Sequence, residues 1–573
     1  MIKKLLFITT LFSLVCINVT GQNNYLEWVD GMGNNGSDIG RSIVEWGGDI
    51  YITGSFEDTV DFDPGPGIFN LISNGGKDIF LQKLDANGDL LWAKSIGGVS
   101  DDEGMCIALN ANGWIGVTGY FQDTVNFAPP TGSNYLSSVG GKDIFVLSIA
   151  ANGDFRWTKS IGGTADDVGT SITVDVWVDY YVTGYFSGTV DFNPDTGITN
   201  LVSTAGYDAF VLKLSDNNWG SFIWAHPIGG SGYSWGTSIV ADQWALNQLY
   251  VIGVYDGSIN IDMFTGGTLT LGTLGGLDIF VAHMDIQLGD FMWVKVFGGF
   301  LNDWGTSISV RNSGTWPELY ITGSFQGTTM DFQTGGTTNL VSAGGEDAFV
   351  QKLNGLSGNI IWEKSMGGPL DDKAYSISSN WTSNISLTGS FKDTADFDPS
   401  SGIANLISNG EEDIFVQELD PNGNFVWAKS MGGIGSDIGY SISNNAFVTG
   451  SFENTVDFDP DTGITILVSS GLEDIYVLKL GVPVGVEEFE DRLFLPVYPN
   501  PANSIITIEI PAYRGKLEAI FHLIDVTGKQ VLSKSIQSNT TQLDVGWLPK
   551  GLYFYRFLDK RNQLNYTGKL VVQ

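Results

Sequence analysis

Seven tryptophans recur at nearly equal intervals along the chain, and this spacing constrains the fold more than any other feature. They are Trp28, Trp92, Trp157, Trp224, Trp293, Trp362 and Trp427, and neighbouring members lie 64 to 69 residues apart. Each belongs to a longer repeated unit, which residues 92–158 show best. Self-similarity at a fixed period of this size is typical of proteins built from copies of one supersecondary unit. The sequence therefore predicts a repeat architecture.

Two further markers also recur seven times. One is the glycine of a Tyr-Val-Thr-Gly-like segment, at Gly54, Gly119, Gly184, Gly253, Gly323, Gly389 and Gly450. The other is the aspartate that opens an Asp-Ile-Phe-Val-like segment, at Asp78, Asp143, Asp208, Asp278, Asp347, Asp413 and Asp474. Short runs of β-branched and aromatic residues lie between them, bounded by Gly, Asn and Asp, and this pattern predicts strands. Four short strands in a unit of roughly 65 residues are typical of a propeller blade. We predict an all-β chain with a seven-bladed β-propeller over residues 22–482.

The phase of the repeat predicts how the propeller closes. Small residues such as those of 169–172 suit a first strand, A, at the crowded centre, and the bulky Trp suits a last strand, D, at the outer rim. On this phase the mature chain begins with a D strand at 25–29, and its last blade contains strands A, B and C alone. We expect strand 25–29 to complete that blade, with Trp28 beside residues 474–480, because closure removes exposed sheet edges.

The repeat resembles a known family, the SBBP-type β-propeller repeats of bacterial exported proteins. The resemblance extends over residues 25–480. It rests on three segments: Tyr181-Val182-Thr183-Gly184, Asp143-Ile144-Phe145-Val146 and Ile161-Gly162-Gly163. That family is a structural description, so the resemblance implies a fold and no activity.

The N-terminus predicts an export signal over residues 1–21. Lys3 and Lys4 precede the apolar run 5–15, and cleavage after Gly21 fits the pattern. No other segment reaches about 18 continuous apolar residues, so we expect no transmembrane segment. Signal removal leaves one cysteine, Cys106, so packing rather than an internal disulfide must hold the chain together. Cys106 stands where other repeats have serine, which predicts a buried small side chain.

After a linker at 483–492, residues 493–573 have a different pattern, which predicts a small C-terminal immunoglobulin-like β-sandwich. Four motifs stand out: Tyr498-Pro499-Asn500-Pro501-Ala502, Asp525-Val526-Thr527-Gly528-Lys529, Leu548-Pro549-Lys550-Gly551-Leu552-Tyr553 and Gly568-Lys569-Leu570-Val571-Val572. They resemble the type A C-terminal sorting domain of the type IX secretion system of Bacteroidetes. The resemblance implies interaction with that secretion machinery and a secreted, extracellular or outer-membrane-attached product.

The charge is unevenly distributed. Residues 22–486 hold 16 basic and 55 acidic side chains. A surface this negative repels phosphates and anionic membranes, so we expect no nucleic-acid partner. It favours solubility, and we expect a monomer that binds an extracellular glycan or protein.

Acidic pairs in the B-to-C connections are candidate metal ligands. In an Asp-x-Asp segment the strand period sends both carboxylates to one side. Paired oxygens of this kind can hold Ca²⁺, the one cofactor that the chain suggests. The candidates are Asp61, Asp63, Asp191, Asn193, Asp195, Asp396, Asp398, Asp457, Asp459 and Asp461. The alternative is a set of Asx turns with solvated carboxylates. The motif is degraded in the second, fourth and fifth blades, at 126–128, 260–262 and 331–333.

No catalytic group emerges from the sequence. The three histidines, His226, His283 and His522, fall on different structural elements, and no Ser or Cys has an evident imidazole partner. We therefore predict a non-enzymatic propeller for binding, adhesion or a structural role outside the cell. The alternative is a polysaccharide-acting glycosidase or lyase, since glycosidase chemistry needs just two carboxylates and this chain has many.

Overall fold

The computed structural model describes residues 25–129, 132–242, 248–312, 316–331, 340–379, 384–443, 446–461, 463–481, 497–509, 519–525, 529–538, 540–559 and 564–573. These residues fall into two compact units, one up to residue 481 and one from residue 497. Apart from one 3₁₀ turn, Asp216–Asn218, every regular element in the described part of the chain is a β-strand. The predicted all-β class is confirmed.

The first compact unit contains seven antiparallel groups of four strands among its described residues, and we call them ring units 1 to 7. Within each, strands A, B, C and D lie side by side in that order. The A strands are Ile39–Trp46, Glu103–Leu109, Val168–Val174, Ser234–Ala241, Asp303–Asn312, Lys373–Ser379 and Ile438–Ile442. The B strands are Asp49–Phe56, Ile115–Phe121, Asp179–Asp191, Gln248–Tyr255, Pro317–Asp331, Ile385–Phe391 and Phe447–Asp457. The C strands are Asp78–Leu84, Asp143–Ile149, Asn200–Ser215, Asp278–Asp285, Val341–Asn354, Asp413–Leu419 and Ile466–Gly481. The D strands are Leu90–Ile96, Phe155–Ile161, Ser221–Gly230, Phe291–Gly299, Ile360–Met366, Phe425–Gly433 and Tyr25–Met32.

The B-to-C connection of each unit continues as a hairpin beyond the four-stranded sheet. In units 3, 5 and 7 the hairpin is part of the long B and C strands. In the others it is a separate strand pair: Thr59–Asp61 with Asn70–Ile72, Thr124–Asn126 with Tyr135–Ser137, Ser258–Asp262 with Thr268–Gly272, and Thr394–Asp396 with Asn405–Ile407.

Strand D of unit 7 comes from the N-terminal end of the described residues. Tyr25–Met32 pairs antiparallel with Ile466–Gly481, and Trp28 lies opposite Lys479. The A strand of each unit lies beside the A strand of the next, and that of unit 7 lies beside that of unit 1. The seven units therefore close a ring with the A strands innermost.

A hydrogen bond from one unit to the next repeats around the inner edge of this ring. A serine in strand A accepts the backbone N–H of an isoleucine in the neighbouring A strand, as when Ser42 Oγ accepts from Ile107 at 3.3 Å. The bond from Ile43 to Ser441 Oγ, 3.2 Å, joins unit 1 to unit 7. Cys106 occupies one of these serine positions, with its Sγ 3.8 Å from the Ile172 carbonyl oxygen. Its side chain is half-buried, not buried as predicted.

The repeated tryptophans join each unit to the next at the outer rim. The indole N–H of Trp92 donates to the Ala151 carbonyl oxygen at 3.2 Å, in the C-to-D turn of unit 2, and Trp28 reaches Ala86 in unit 1 in the same way. Unit 7 has no C-to-D turn, because its C strand is Ile466–Gly481 and its D strand is Tyr25–Met32, from the opposite end of the repeat region. Trp427 of unit 6 accordingly donates to Glu418 of its own unit.

The second compact unit consists of two antiparallel sheets. One contains Val497–Tyr498, Ile505–Glu509 and Thr540–Asp544, and the other contains Gln530–Ile536, Ala519–Asp525, Gly551–Asp559 and Leu564–Val572. Alternate residues of both sheets, such as Ile506, Ile508, Phe521 and Phe557, are fully buried in one core. This alternation is what a pair of packed sheets requires.

Deletion of residues 22–32 should destabilise the ring, because it exposes strand C of unit 7 and removes the Trp28 bond to unit 1. We expect the melting temperature, followed by circular dichroism, to fall by more than roughly 5 °C. The control is Glu27→Gln, which removes an exposed ion pair to Lys479 (2.7 Å) and should change stability little. An unchanged melting temperature for the deletion would contradict the closure.

Candidate functional site

Strand direction alternates within each unit, so the D-to-A and B-to-C connections share one face of the ring, which we call the turn face. Five aromatic residues of units 3 to 5 form a continuous series there: Tyr185, Tyr207, Tyr233, Trp235 and Trp304. We call this series the aromatic row. Successive ring centroids are 5.1, 6.2, 6.1 and 6.3 Å apart. All five side chains are partly accessible to solvent, and Tyr233 is 45% exposed.

Three rings of the aromatic row, those of Tyr233, Trp235 and Trp304, have nearly parallel planes. Trp235 is parallel to Tyr233 within 5° and to Trp304 within 12°. Burial, together with the neighbouring Tyr207, raises the pKa of the Tyr185 phenol to about 12, so this hydroxyl stays neutral and can donate a hydrogen bond. Large rigid aromatics with a polar edge provide contact area at a low cost in conformational entropy.

Elsewhere on the turn face, three basic side chains form ion pairs with acidic ones. Arg41 Nε lies 2.6 Å from Glu103 Oε1, and its guanidinium stacks 4.7 Å from the Tyr440 ring centroid. Lys392 lies 2.9 Å from Glu412, and Lys373 lies 3.7 Å from Glu346. These cations are neutralised within the protein, so this part of the face is poorly suited to an anionic ligand.

The predicted metal residues of the B-to-C hairpins form Asx turns. Asp61 Oδ1 accepts the N–H groups of Asp63 (3.1 Å) and Phe69 (2.7 Å), and Asp63 Oδ1 accepts that of Gly65 (2.9 Å). Asp191, Asp396 and Asp457 repeat the first pattern, and Asn193, Asp398 and Asp459 repeat the second. Asn126 of unit 2 makes the first pattern with a neutral side chain. The turn therefore needs a side-chain oxygen that accepts hydrogen bonds at this position, but it does not need a negative charge.

The third member of two of these segments forms an ion pair. Lys159 Nζ lies 2.8 Å from Asp195, and this hydrogen bond lowers the pKa of the Asp195 carboxyl. Asp461 pairs with Lys429 in the same way. Within the described ranges no three His, Cys, Asp or Glu side chains are grouped to hold a metal. The Ca²⁺ site at these hairpins stays a prediction.

Sequence reasoning missed a set of buried carboxylates beneath the turn face. Asp102, Asp167 and Asp372 lie in D-to-A connections, and their side chains are fully buried. Asp102 accepts the N–H groups of Gly98 (2.7 Å) and Gln122 (2.8 Å), and so connects a D-to-A turn to a B-to-C turn. Asp38, Asp303 and Asp437 make the same two contacts in their own units. Burial raises the pKa of all six to about 7.

The seven aspartates of the Asp-Ile-Phe-Val-like segments, which lie in the C strands, are also buried. Each accepts a backbone N–H four residues earlier, as Asp347 accepts that of Ala343 at 2.9 Å. Burial raises the pKa of Asp347 to about 6, and the other six are shifted similarly. The sequence did carry a signal for these residues, because an acid at the same position of every repeat, next to an apolar run, indicates a structural role.

The histidines of the ring do not converge. His283 in unit 4 stacks on Tyr250 at 4.9 Å, and burial lowers its pKa to about 4. The ring of His226 in unit 3 lies 5.3 Å from that of Trp224, at a tilt of 47°, and burial lowers the pKa of His226 too. Both are neutral aromatic side chains in the packing.

The C-terminal unit matches a family model. Residues 496–573 match the secretion system C-terminal sorting domain, and the predicted sorting domain is confirmed. The chain is therefore a type IX secreted protein of the cell surface or extracellular space, and its tail is the part that engages the secretion machinery. No helix of the described residues is long and apolar enough to cross a membrane.

The Tyr-Pro-Asn-Pro-Ala motif of this tail holds the final strand. Asn500 Oδ1 accepts the Val571 N–H at 2.9 Å, and Asn500 Nδ2 donates to the Lys569 carbonyl oxygen at 2.8 Å. Ala502 N donates to the Val571 carbonyl oxygen at 2.7 Å. These contacts explain why motifs about 70 residues apart in sequence occur together.

The chain also has distant relatives. It is 24% identical over 461 residues to an uncharacterized WD repeat-containing protein, L264, of Acanthamoeba polyphaga mimivirus, covering 69% of this chain and 32% of the relative. It is 23% identical over 398 residues to regulatory protein FlaEY of Caulobacter vibrioides, covering 67% of this chain and 39% of the relative. The chain spans about a third of the length of these relatives, and the WD-repeat description agrees with a propeller-like repeat.

A solved structure of PorZ, described as an essential bacterial surface component of the type IX secretion system of Porphyromonas gingivalis, aligns with 94% of this chain and 99% of its own. The sequence identity is 11% and the TM-score is 0.15, so this likeness supports no argument.

The buried aspartates predict that stability rises as pH falls. Their pKa values are near 6 to 7 in the folded chain and near 3.8 when unfolded, so the folded chain binds protons more tightly. In chelator-treated buffer we expect the melting temperature to increase from pH 8 to pH 5. Asp102→Asn, which cannot ionise, should reduce this dependence, and a melting temperature that falls over the same range would contradict the assignment.

Proposed function

We propose that the ring is a seven-bladed β-propeller of the SBBP repeat type and that it serves as a non-enzymatic binding module outside the cell. The sorting tail, for which we propose an immunoglobulin-like sandwich, delivers it there. The closed seven-unit contact pattern and the WD-repeat description of one relative support the propeller.

The observation that carries the binding function is the aromatic row on the turn face. Rings of Tyr and Trp with parallel planes are suited to the apolar C–H faces of sugar rings, while sugar hydroxyls can bond to the tyrosine hydroxyls. The excess of acidic side chains disfavours anionic ligands, and the basic side chains named on this face already have acidic partners. The ligand that fits these properties is a neutral glycan of the cell surface or surroundings.

Removal of single rings of the aromatic row should weaken glycan binding. We expect Trp235→Ala and Trp304→Ala each to raise the dissociation constant for a neutral polysaccharide about tenfold, since a stacked ring contributes about 1 kcal/mol beyond its buried area. A neutral-glycan array identifies the ligand, and isothermal titration calorimetry measures the constant.

The matched control is Trp177→Ala. Trp177 is 45% exposed and lies in the A-to-B turn of unit 3, on the opposite face. Equal affinity losses for Trp177→Ala and Trp235→Ala would contradict binding at the aromatic row. Release of reducing ends from any bound polysaccharide would instead favour the enzymatic alternative.

Export should depend on the tail. A chain that ends at residue 482 should fold its ring but remain inside a type IX secreting host, whereas the full chain reaches the surface or medium. Immunoblots of periplasm, surface and medium test this prediction. Asn500→Ala should also reduce export, because it removes both bonds to the final strand; Ser538→Ala, at an exposed loop, is its control.

A further inference from the structure

Six of the seven seams between neighbouring ring units contain two buried carboxylates. At each, the aspartate of the Asp-Ile-Phe-Val-like segment in strand C of one unit lies near the D-to-A aspartate of the next. The pairs are Asp78 with Asp102, Asp143 with Asp167, Asp278 with Asp303, Asp347 with Asp372, Asp413 with Asp437, and Asp474 with Asp38. None of these side chains is more than 3% exposed. Two like charges so deeply buried need a partner.

The geometry at Gly367 shows that the two carboxylates border one space. A Cβ atom placed on this glycine would lie 2.8 Å from Asp347 Oδ1 and 2.9 Å from Asp372 Oδ2. Gly298 and Gly432, at the same position of other seams, have Asp278 and Asp413 within 2.2 and 2.5 Å of such an atom. At Gly367 a side chain would fill the space between the two carboxylates, so this glycine keeps the space open.

One oxygen at five of these seams has no partner. Oδ1 of Asp143, Asp278, Asp347, Asp413 and Asp474 is buried and makes no hydrogen bond to any described residue. Asp78 differs, because Asn74 Nδ2 and Ser95 Oγ each donate to its Oδ2 at 3.0 Å and Asn74 N lies 3.2 Å from its Oδ1. Buried carboxylate oxygens without a donor are rare in folded proteins. The recurrence of such an oxygen at the equivalent position of five seams points to the same kind of ligand at each seam.

We propose that each of these five seams binds one divalent cation, Ca²⁺, between the unpartnered oxygen of the C-strand aspartate and the D-to-A aspartate. Two carboxylates balance the charge of one such ion, and a donor set made of oxygen alone suits a hard cation. Backbone carbonyl groups and water would complete the six to eight ligands that Ca²⁺ takes. These sites are distinct from the hairpin candidates and do not depend on what the turn face binds.

The seam between units 3 and 4 provides a natural control. Asp208 has the same buried, unpartnered Oδ1, but Ser234 stands where other seams have the second aspartate. Ser234 Oγ donates to the Ile228 carbonyl oxygen at 2.6 Å and accepts the Ala209 N–H at 3.0 Å. With a single carboxylate, this seam should not bind the ion.

Calcium titration of the full exported chain tests the proposal. After chelator treatment at pH 8, isothermal titration with CaCl₂ should show close to five ions per chain, with dissociation constants of about 10⁻⁴ to 10⁻³ M, as extracellular modules have. The melting temperature should rise by roughly 5–10 °C at saturation. No binding heat and no rise in melting temperature would overturn the proposal, and would leave a shared proton as the partner of each pair.

Asparagine variants locate the ions. The triple variant Asp143→Asn, Asp347→Asn and Asp413→Asn should lose three of the ions and should melt higher than the parent in chelator, because it no longer buries three unpaired charges. Asp208→Asn should keep the parental stoichiometry. The double hairpin variant Asp396→Asn and Asp398→Asn should also keep it. If the hairpin variant loses ions while the triple variant does not, the cations lie at the surface turns and the seam proposal is wrong.

Discussion

The pairing of strand Tyr25–Met32 with strand Ile466–Gly481 joins the two ends of the repeat region, and the rest of the ring depends on this contact. A four-stranded unit buries its faces against its neighbours, so an open array would leave two faces and one sheet edge exposed to water. Closure by a strand distant in sequence removes all three. It also explains why Trp427 contacts its own unit: the turn that its six counterparts approach is absent where the chain ends meet.

Each seam combines three kinds of contact at different distances from the ring centre. Serine-to-isoleucine hydrogen bonds lie innermost, an apolar core lies between the sheets, and a tryptophan on a glycine turn lies at the rim. Ile79 of unit 1 and Val117 of unit 2, for example, share one core. Glycine is required where the backbones approach closely: a Cβ on Gly184 would lie 2.0 Å from the Val168 carbonyl oxygen. This steric limit accounts for the second repeated marker of the sequence.

The acidic character of the chain has two separate origins. Hairpin acids such as Asp61 and Asp396 cap turns, and Asn126 shows that a neutral oxygen serves equally well there. The seam aspartates are buried, and at six seams two of them lie close enough for each pair to interact electrostatically. The aromatic row lies on the same face of the ring, where burial raises the pKa of the Tyr185 phenol and Asp167 of the seam set contributes to this shift.

Much of the architecture could be predicted from the sequence. The repeat period, the alternation of apolar residues and the turn residues are local properties, so they determined the all-β class, the strand order and the sorting tail. The position of Trp28 beside strand C of the last unit followed from counting strands.

The candidate sites could not be predicted in this way. In the sequence Asp102 and Asp61 look alike as acids of short connections between strands, whereas the burial of Asp102 depends on the contacts that it makes with Gly98 and Gln122 of two different connections. The five members of the aromatic row are spread over about 120 residues and three units. They lie next to one another only because the ring brings their turns together. The sequence by itself determined the repeating unit, because that depends on local periodicity. Only the tertiary structure decided which side chains meet at the seams and on the turn face, because those contacts form between units and not within them.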